Sequence, residues 1–231
     1  MKYMISYGPS FAWLTLELDA GEHVTAEAGS MVTMSPSLTM ETRLNSPRES
    51  GLFAKLKLFF IALIRKFLAG ETMFINDFSS SSGGQLRLAP GLAGSILHRR
   101  LHGERLFLSP GAYLASSSGL TMRLRFGGIR AIVSRGSPFF IEISGTGDLW
   151  MNAHGGITEI PVEGSFVVDN GHIVAFDSGL DFKIKSASGE LFSSFASGEG
   201  LVCELSGQGS VWIQSRGTSA LVGWLKSFLP R

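Results

Sequence analysis

Five histidines, a single cysteine and a row of arginines are where chemistry is first sought in this 231-residue sequence. His98 and His102 stand four apart, which turns both toward one ion only on a helix. On a strand they share a face but lie about 13 Å apart at roughly 3.3 Å per residue, too far to chelate together. Arg99 and Arg100 between them repel a cation further. His154 and His172 fall near Asn152, Asp169 and Asn170, where turn formation explains the polar residues adequately. Cys203 follows Leu201 and Val202 in an apolar run, which predicts a buried, inert thiol rather than a nucleophile. The sequence contains no GxxxxGK[ST] phosphate loop and no GxSxG elbow. No catalytic residue, metal or cofactor is therefore expected.

The arginines point elsewhere. Arg123 and Arg125 project from one face of a strand, with Arg130 and Arg135 following, and such a row suits a phosphate-like anion. Base-stacking aromatics do not interleave with it, so solvated or interface arginines are the preferred reading and nucleic acid is not an expected partner. Arg123 and Arg125 remain candidate anion contacts. Around them the charge is uneven: from His98 to Arg135 there are seven Arg and one acid, Glu104, whereas Gly136 to Gly200 holds nine acids against Lys183 and Lys185. Like subunits could meet head to tail through such an asymmetry; two solvated faces explain it equally simply and are preferred.

The elements that carry these residues are strands joined by glycine turns. Three segments align without gaps: EAGSMVTMSPSLTME (27–41), SPGAYLASSSGLTMR (109–123) and DNGHIVAFDSGLDFK (169–183). Gly29, Gly111 and Gly171 coincide, as do Leu38, Leu120 and Leu180, then Met40, Met122 and Phe182. Each reads as an apolar strand, a glycine corner, a short apolar run, a turn and an alternating strand. FIEISGTGDLWMN (140–152) and VCELSGQGSVWIQ (202–214) share Ser-Gly-x-Gly and a following Trp, which predicts two hairpins. Repeated strand–turn–strand units with little helix between them specify an all-β fold of duplicated antiparallel sandwich or double-stranded β-helix type. One β domain is expected over 1–231. Hydrophobic content of 44% with 17% charged residues excludes disorder, and the lone Cys excludes an intrachain disulfide. The opening residues lack the basic region, apolar run and cleavage site of a secretory signal, so cytoplasmic residence is expected.

One stretch breaks the β pattern. GLFAKLKLFFIALIRKFLAGETMF (51–74) places Phe53, Leu56, Phe60, Leu63 and Phe67 at steps of three and four, with Lys55, Arg65 and Lys66 opposite. This predicts an amphipathic helix over about 50–69, in an insertion spanning about 48–70. It is too often interrupted by charge to span a bilayer, which needs roughly 20 apolar residues. Packing over the protein's own core or against another subunit is the favoured use of its apolar face; a membrane surface is the second. A short C-terminal helix is expected as well, with Thr218 as cap and Leu221, Trp224, Leu225 and Phe228 on one side, docked on the body because so short a helix is marginal alone.

Several of these pieces together resemble the mitochondrial-biogenesis family whose deletion alters mitochondrial inheritance, with its uncharacterised bacterial relatives: LTLELDAGEHVTAEAGSMVTM, LAGETMFINDF, GERLFLSPGAYLAS, FIEISGTGDLWMNAHGGI and VWIQSRGTSALVGWL. The resemblance covers nearly the whole chain in the family's order. It implies a fold similar to the tryptophan RNA-binding attenuation protein and assembly into homotrimers that mimic a ring of repeated modules. The expectation is a non-enzymatic oligomeric scaffold, peripheral to a membrane if the inserted helix touches one. The alternative is a ring-like protein that binds RNA or a small ligand.

Overall fold

The computed structural model describes residues 1–44, 74–126, 139–186 and 201–228, and these form antiparallel strands, a 3-10 turn and one short C-terminal helix. The helix expected at about 50–69 lies outside the described residues. After β1 (Lys2–Ser6) the strands form three successive sets of like order. The first holds β2 (Trp13–Leu18), β3 (His23–Glu27), β4 (Met31–Met34), β5 (Thr39–Leu44), β6 (Phe74–Ser79) and β7 (Gly84–Leu88). The second holds β8 (Gly94–Leu108), β9 (Tyr113–Ser117), β10 (Leu120–Phe126) and β11 (Phe139–His154). The third holds β12 (Ile157–Asp169), β13 (Ile173–Asp177), β14 (Leu180–Ser186) and β15 (Leu201–Gln214). β8 and β12 each run unbroken where the first set divides into β2 and β3; β11 and β15 do so where it divides into β6 and β7.

A four-stranded sheet, β1-β2-β7-β4, packs with a larger sheet ordered β12-β15-β13-β8-β11-β9-β3-β6-β5, in which β10 joins β11 and β14 joins β15. The long strands explain how one chain serves both layers. The first half of β11 pairs with β10 and its second half with β9, and β15 divides itself between β14 and β13 in the same way. Ser-Gly-x-Gly marks this change of partner. It is not the hairpin turn that its composition suggests, because both copies lie inside a continuous strand. Gly145 and Gly207 adopt φ of +119° and +127°, and a Cβ there would meet the carbonyl oxygens of Gly119 and Gly179 at 2.4 and 2.8 Å.

The change of partner frees a backbone N–H each time, and an equivalent side chain receives it. Ser35 Oγ accepts from Gln85 N at 2.9 Å, Ser117 Oγ from Asp148 N at 2.9 Å, and Asp177 Oδ2 from Ser210 N at 2.8 Å. These three acceptors occupy one column of the gap-free sequence alignment. The glycine corners are less uniform. Gly29 and Gly111 are left-handed, at φ +89° and +78°. Gly171 instead sits in a 3-10 turn, Asn170–His172, where its N–H donates to Asp169 Oδ1.

Among the described residues three apolar clusters make the core, each spanning neighbouring sets. Leu14, Leu16, Phe78, Leu86 and Leu88 of the first set enclose Leu114 and Trp150 of the second. Leu101, Leu108 and Tyr113 of the second enclose Val174 and Trp212 of the third. Phe140 joins Phe176, Leu205 and Val211 in the last cluster. Trp150 and Trp212 thus plug each set into the one before it.

The C-terminal helix α1 (Thr218–Lys226) departs from expectation twice. Its N-cap is Gly217, with no side-chain cap bond, and Thr218 is already helical. Its apolar residues do not dock on the body: Val222, Trp224 and Leu225 are exposed, as is Phe228 just beyond, which meets Trp224 edge-on at 5.0 Å between centroids.

Candidate functional site

The candidate anion contacts lie on β10 opposite β11, with Arg123 across from Glu142 and Arg125 across from Phe140. Glu142 is buried, and Arg125 Nε donates to its Oε2 at 2.7 Å. That bond, aided by the charges of Arg125, Arg105 and Arg123, holds the Glu142 carboxyl below its ordinary value against the upward push of burial. The first set has the same arrangement: Arg43 on β5 pairs with Asp77 on β6, at register positions equivalent to Arg125 and Glu142. Burial raises the Asp77 pKa, but hydrogen bonds from Arg43 and Thr25 outweigh it and leave the pKa lowered. Arg125 therefore has a repeated structural duty, fixing a carboxylate at the root of the βstrand pair, while Arg123 stays exposed beside it. Phe53, Leu56, Phe60, Leu63 and Phe67 lie outside the described residues.

The histidines are distributed rather than gathered. His98 Nδ1 meets Tyr3 Oη at 2.9 Å and its Nε2 meets Asp148 Oδ1 at 2.9 Å, with Arg100 donating to Asp148 Oδ2 at 2.8 Å. Tyr3 and His98 also pack on Trp150, at centroid distances of 5.6 and 5.3 Å. Phenol, imidazole and carboxylate in that order can relay a proton, but they sit where β1 crosses the body and act as a clasp on that edge strand. Sequence spacing gave no hint of it, because Tyr3, His98 and Asp148 come from three distant strands. His154 and His172 do approach one another through Gln214, whose side chain accepts from His154 N at 2.8 Å and whose carbonyl meets His172 Nδ1 at 2.7 Å. No grouping able to hold a metal ion occurs among the described residues. Cys203 is buried, 3.3 Å from Asn170 Oδ1, and burial, with Asp169 nearby, pushes its thiol up to about 12.

The more informative surface lies at the two ends of the strand order. Within the chain, each set hands on to the next by one rule. β3 pairs with β9 through Val24↔Ser117, Thr25↔Ser116 and Ala26↔Ala115. β8 pairs with β13 through Leu106↔Asp177, Phe107↔Phe176 and Leu108↔Ala175. These are the same register positions of the repeat. The rule leaves two partners over: residues 166–168 of β12, which have no following set, and β4, which has no preceding one. A shared bulge makes the comparison direct, since β4, β9 and β13 all shift register at Val32, Leu114 and Val174. Leu114 and Val174 are 0% and 1% exposed, whereas Val32 is 43% exposed. Met31 and Met34 are likewise exposed, and Val167 on β12 is 58% exposed. The alignment already held this signal: MVTM of the first segment is as apolar as YLAS and IVAF, yet among the described residues only the latter two pair with a strand of another set.

Strand order and repeated register define a class of triplicated antiparallel β-fold. The particular family follows from its sequence profile. The profile described as "Mitochondrial biogenesis AIM24" matches residues 3–216, and the chain belongs to that family. It is 32% identical over 233 residues to an uncharacterized protein of Streptococcus pyogenes serotype M6, covering 100% of this chain and 92% of that one. A crystal structure of a Streptococcus pyogenes protein superposes with a TM-score of 0.78 at 29% identity, covering 99% of each chain.

Proposed function

We propose that this protein is a non-enzymatic structural scaffold that assembles with copies of itself head to tail into a closed ring, a homotrimer, in the cytoplasm. One observation carries the reading: among the described residues the pairing rule used twice inside the chain leaves one free edge of each kind, and the counterparts of the exposed Met31, Val32 and Met34 of β4 are buried at both internal junctions. Continuing the register sets Val167 of one copy opposite Met34 of the next, as Thr25 faces Ser116 and Phe107 faces Phe176. A heterologous contact of this type closes into a ring when its rotation permits and otherwise extends as a filament.

A ring that binds RNA or a small ligand is the rival, and a membrane-peripheral role through Phe53, Leu56, Phe60, Leu63 and Phe67 is a separate extension. The pairing of Arg125 with Glu142, repeated by Arg43 with Asp77, weighs against the arginine row as an RNA track. Light scattering after size exclusion tests the assembly. The expected mass is three times the 24.8 kDa of the chain. Val167→Lys and Met34→Lys each give monomer, and the double variant Val167→Lys/Met34→Glu, which sets Lys against Glu at every contact, restores the assembly. A monomeric wild type, or an oligomer indifferent to both lysines, rejects the proposal.

A further inference from the structure

The clasp between β1 and the body holds more chemistry than an edge strand needs. Tyr3 Oη lies 2.9 Å from His98 Nδ1, and His98 Nε2 lies 2.9 Å from Asp148 Oδ1. The Asp148 carboxylate, paired with Arg100, only accepts, so Nε2 carries the proton of the neutral imidazole. Nδ1 is left as the acceptor for the phenol. The order is hydroxyl, base and carboxylate, the line that activates a hydroxyl as a nucleophile.

Each member is held in place. Arg100 Nη1 donates to Asp148 Oδ2 at 2.8 Å, and Asp148 N donates to Ser117 Oγ at 2.9 Å. The rings of Tyr3 and His98 lie 4.4 Å apart between centroids, and both rest on the buried Trp150. His98 and Asp148 have side chains only 19% and 22% exposed, whereas Tyr3 is 45% exposed. A reagent can therefore reach the phenol while the groups behind it are shielded. The repeat does not account for this set. The register position of His98 holds Thr15 in the first set and Glu159 in the third, and that of Asp148 holds Gln85 and Ser210.

We propose that Tyr3 is a self-activated acceptor of activated acyl groups, those of reactive esters and thioesters. Tyr3 Oη attacks the carbonyl carbon and forms the new C–O bond. The bond from that carbon to the leaving oxygen or sulfur breaks and takes its electron pair. The phenolic proton passes to His98 Nδ1 and from there to the leaving group. Asp148 is a positioning residue, which fixes the imidazole tautomer and stabilises the imidazolium that forms. The ester so made has no hydroxyl hydrogen to give His98, so acylation also removes the bond between β1 and β8. This is a stoichiometric modification of a scaffold, and it holds whether or not copies of the chain form a ring.

Acetylation of the full chain by p-nitrophenyl acetate, located by tandem mass spectrometry, tests it with Tyr7 as the internal reference. Tyr7 is 69% exposed and packs edge-on against Trp13, and its hydroxyl has no hydrogen-bond partner among the described residues. Exposure alone makes Tyr7 the faster of the two. The expected result is the reverse, with Tyr3 acetylated about 100-fold faster than Tyr7. His98→Gln keeps an acceptor for the hydroxyl but cannot take its proton, and brings Tyr3 down to the Tyr7 rate. Asp148→Asn lowers the Tyr3 rate about ten-fold and leaves both Tyr7 and amide exchange in β1 unchanged. Tyr3 reacting no faster than Tyr7 in wild type overturns the proposal. So does a Tyr3 rate retained in His98→Gln or, if that variant does not fold, in Asp148→Asn. Faster amide exchange in β1 of Asp148→Asn assigns Asp148 to the clasp alone and overturns its positioning role.

Discussion

The junction between the second and third sets and the free edge of the first are built from the same strand type, yet they solve different problems. At the internal junction Val174 and Phe176 are buried, and Trp212 drives into the neighbouring cluster with Arg99 over its ring at 4.4 Å. At the free edge Val32 and Met34 are exposed, and Arg87 occupies the register position of Trp150 and Trp212. The core-plugging tryptophan is absent where no preceding set exists within the chain. An edge that retains apolar strand residues but not the tryptophan can pair through backbone and side chains without being needed for the fold. Folding and assembly are thereby separable in this molecule, although both use one register.

The sharpest way to break that distinction is to place one charge at the two equivalent bulge positions. Val174→Asp puts an unpaired carboxylate where exposure is 1% and is expected to cost about 4 kcal/mol or more, enough to unfold a marginal domain. Val32→Asp, at a solvent-facing edge, is expected to stay within about 0.5 kcal/mol of wild type while abolishing assembly. Urea unfolding of both proteins reads the contrast. Equal destabilisation at the two sites would show that β4 is packed as tightly as β13, and the distinction would fall.

How far the sequence discloses this organisation depends on whether a feature is local. The all-β class and the repeat are legible because each set needs the same apolar strand starts, at Leu38, Leu120 and Leu180, and the same turn-forming residues between them. The family is legible for a similar reason, since its motifs are contiguous. Ser-Gly-x-Gly misleads because a strand that changes partners and a hairpin make the same local demand for glycine, and only pairing with distant β9 or β13 separates them. The duty of Arg125 is hidden for want of a register, because Glu142 reaches it from the next strand. The C-terminal helix is legible as a helix, while what covers it is not written in its own residues. The N–H acceptors at Ser35, Ser117 and Asp177 align in sequence, but their column is chemically mixed and resembles ordinary turn composition.

Those three acceptors sharpen the comparison at intermediate effect. Ser117→Ala leaves Asp148 N without its acceptor where β11 changes partner and is expected to cost about 1–2 kcal/mol. Asp177→Ala removes the bond from Ser210 N and also the ion pair with Arg99 at 3.3 Å, and is expected to cost more. Ser35→Ala, in the first set, completes the series by removing the acceptor for Gln85 N at the divided strand. Chemical denaturation of the three variants ranks them. If Ser35→Ala proved as damaging as Asp177→Ala, the first set would be as integral to the core as the third.

The smallest expected effect is the acid dependence of the carboxylates beneath β5 and β10. Glu142 and Asp77 both have pKa values held below their ordinary values of 4.5 and 3.8. A carboxyl whose folded pKa is depressed contributes stability that is fully present above its unfolded pKa and is lost as pH falls through the folded one. The acid limb for Glu142 thus begins below about pH 4.5, and that for Asp77 lower, below about pH 4. Glu142→Gln keeps an acceptor for Arg125 Nε and removes the titration, so it should lower the melting temperature at pH 7 yet flatten its decline between pH 5 and pH 3. Both arginines are about half exposed, which screens the pairs and keeps the effect small. Because the pair recurs in the first set, the Asp77→Asn variant should flatten the lower part of the same limb. An acid limb unchanged in Glu142→Gln would mean that the carboxylate is as well stabilised in the unfolded chain, and that the repeated ion pair orients the strands without adding to their stability.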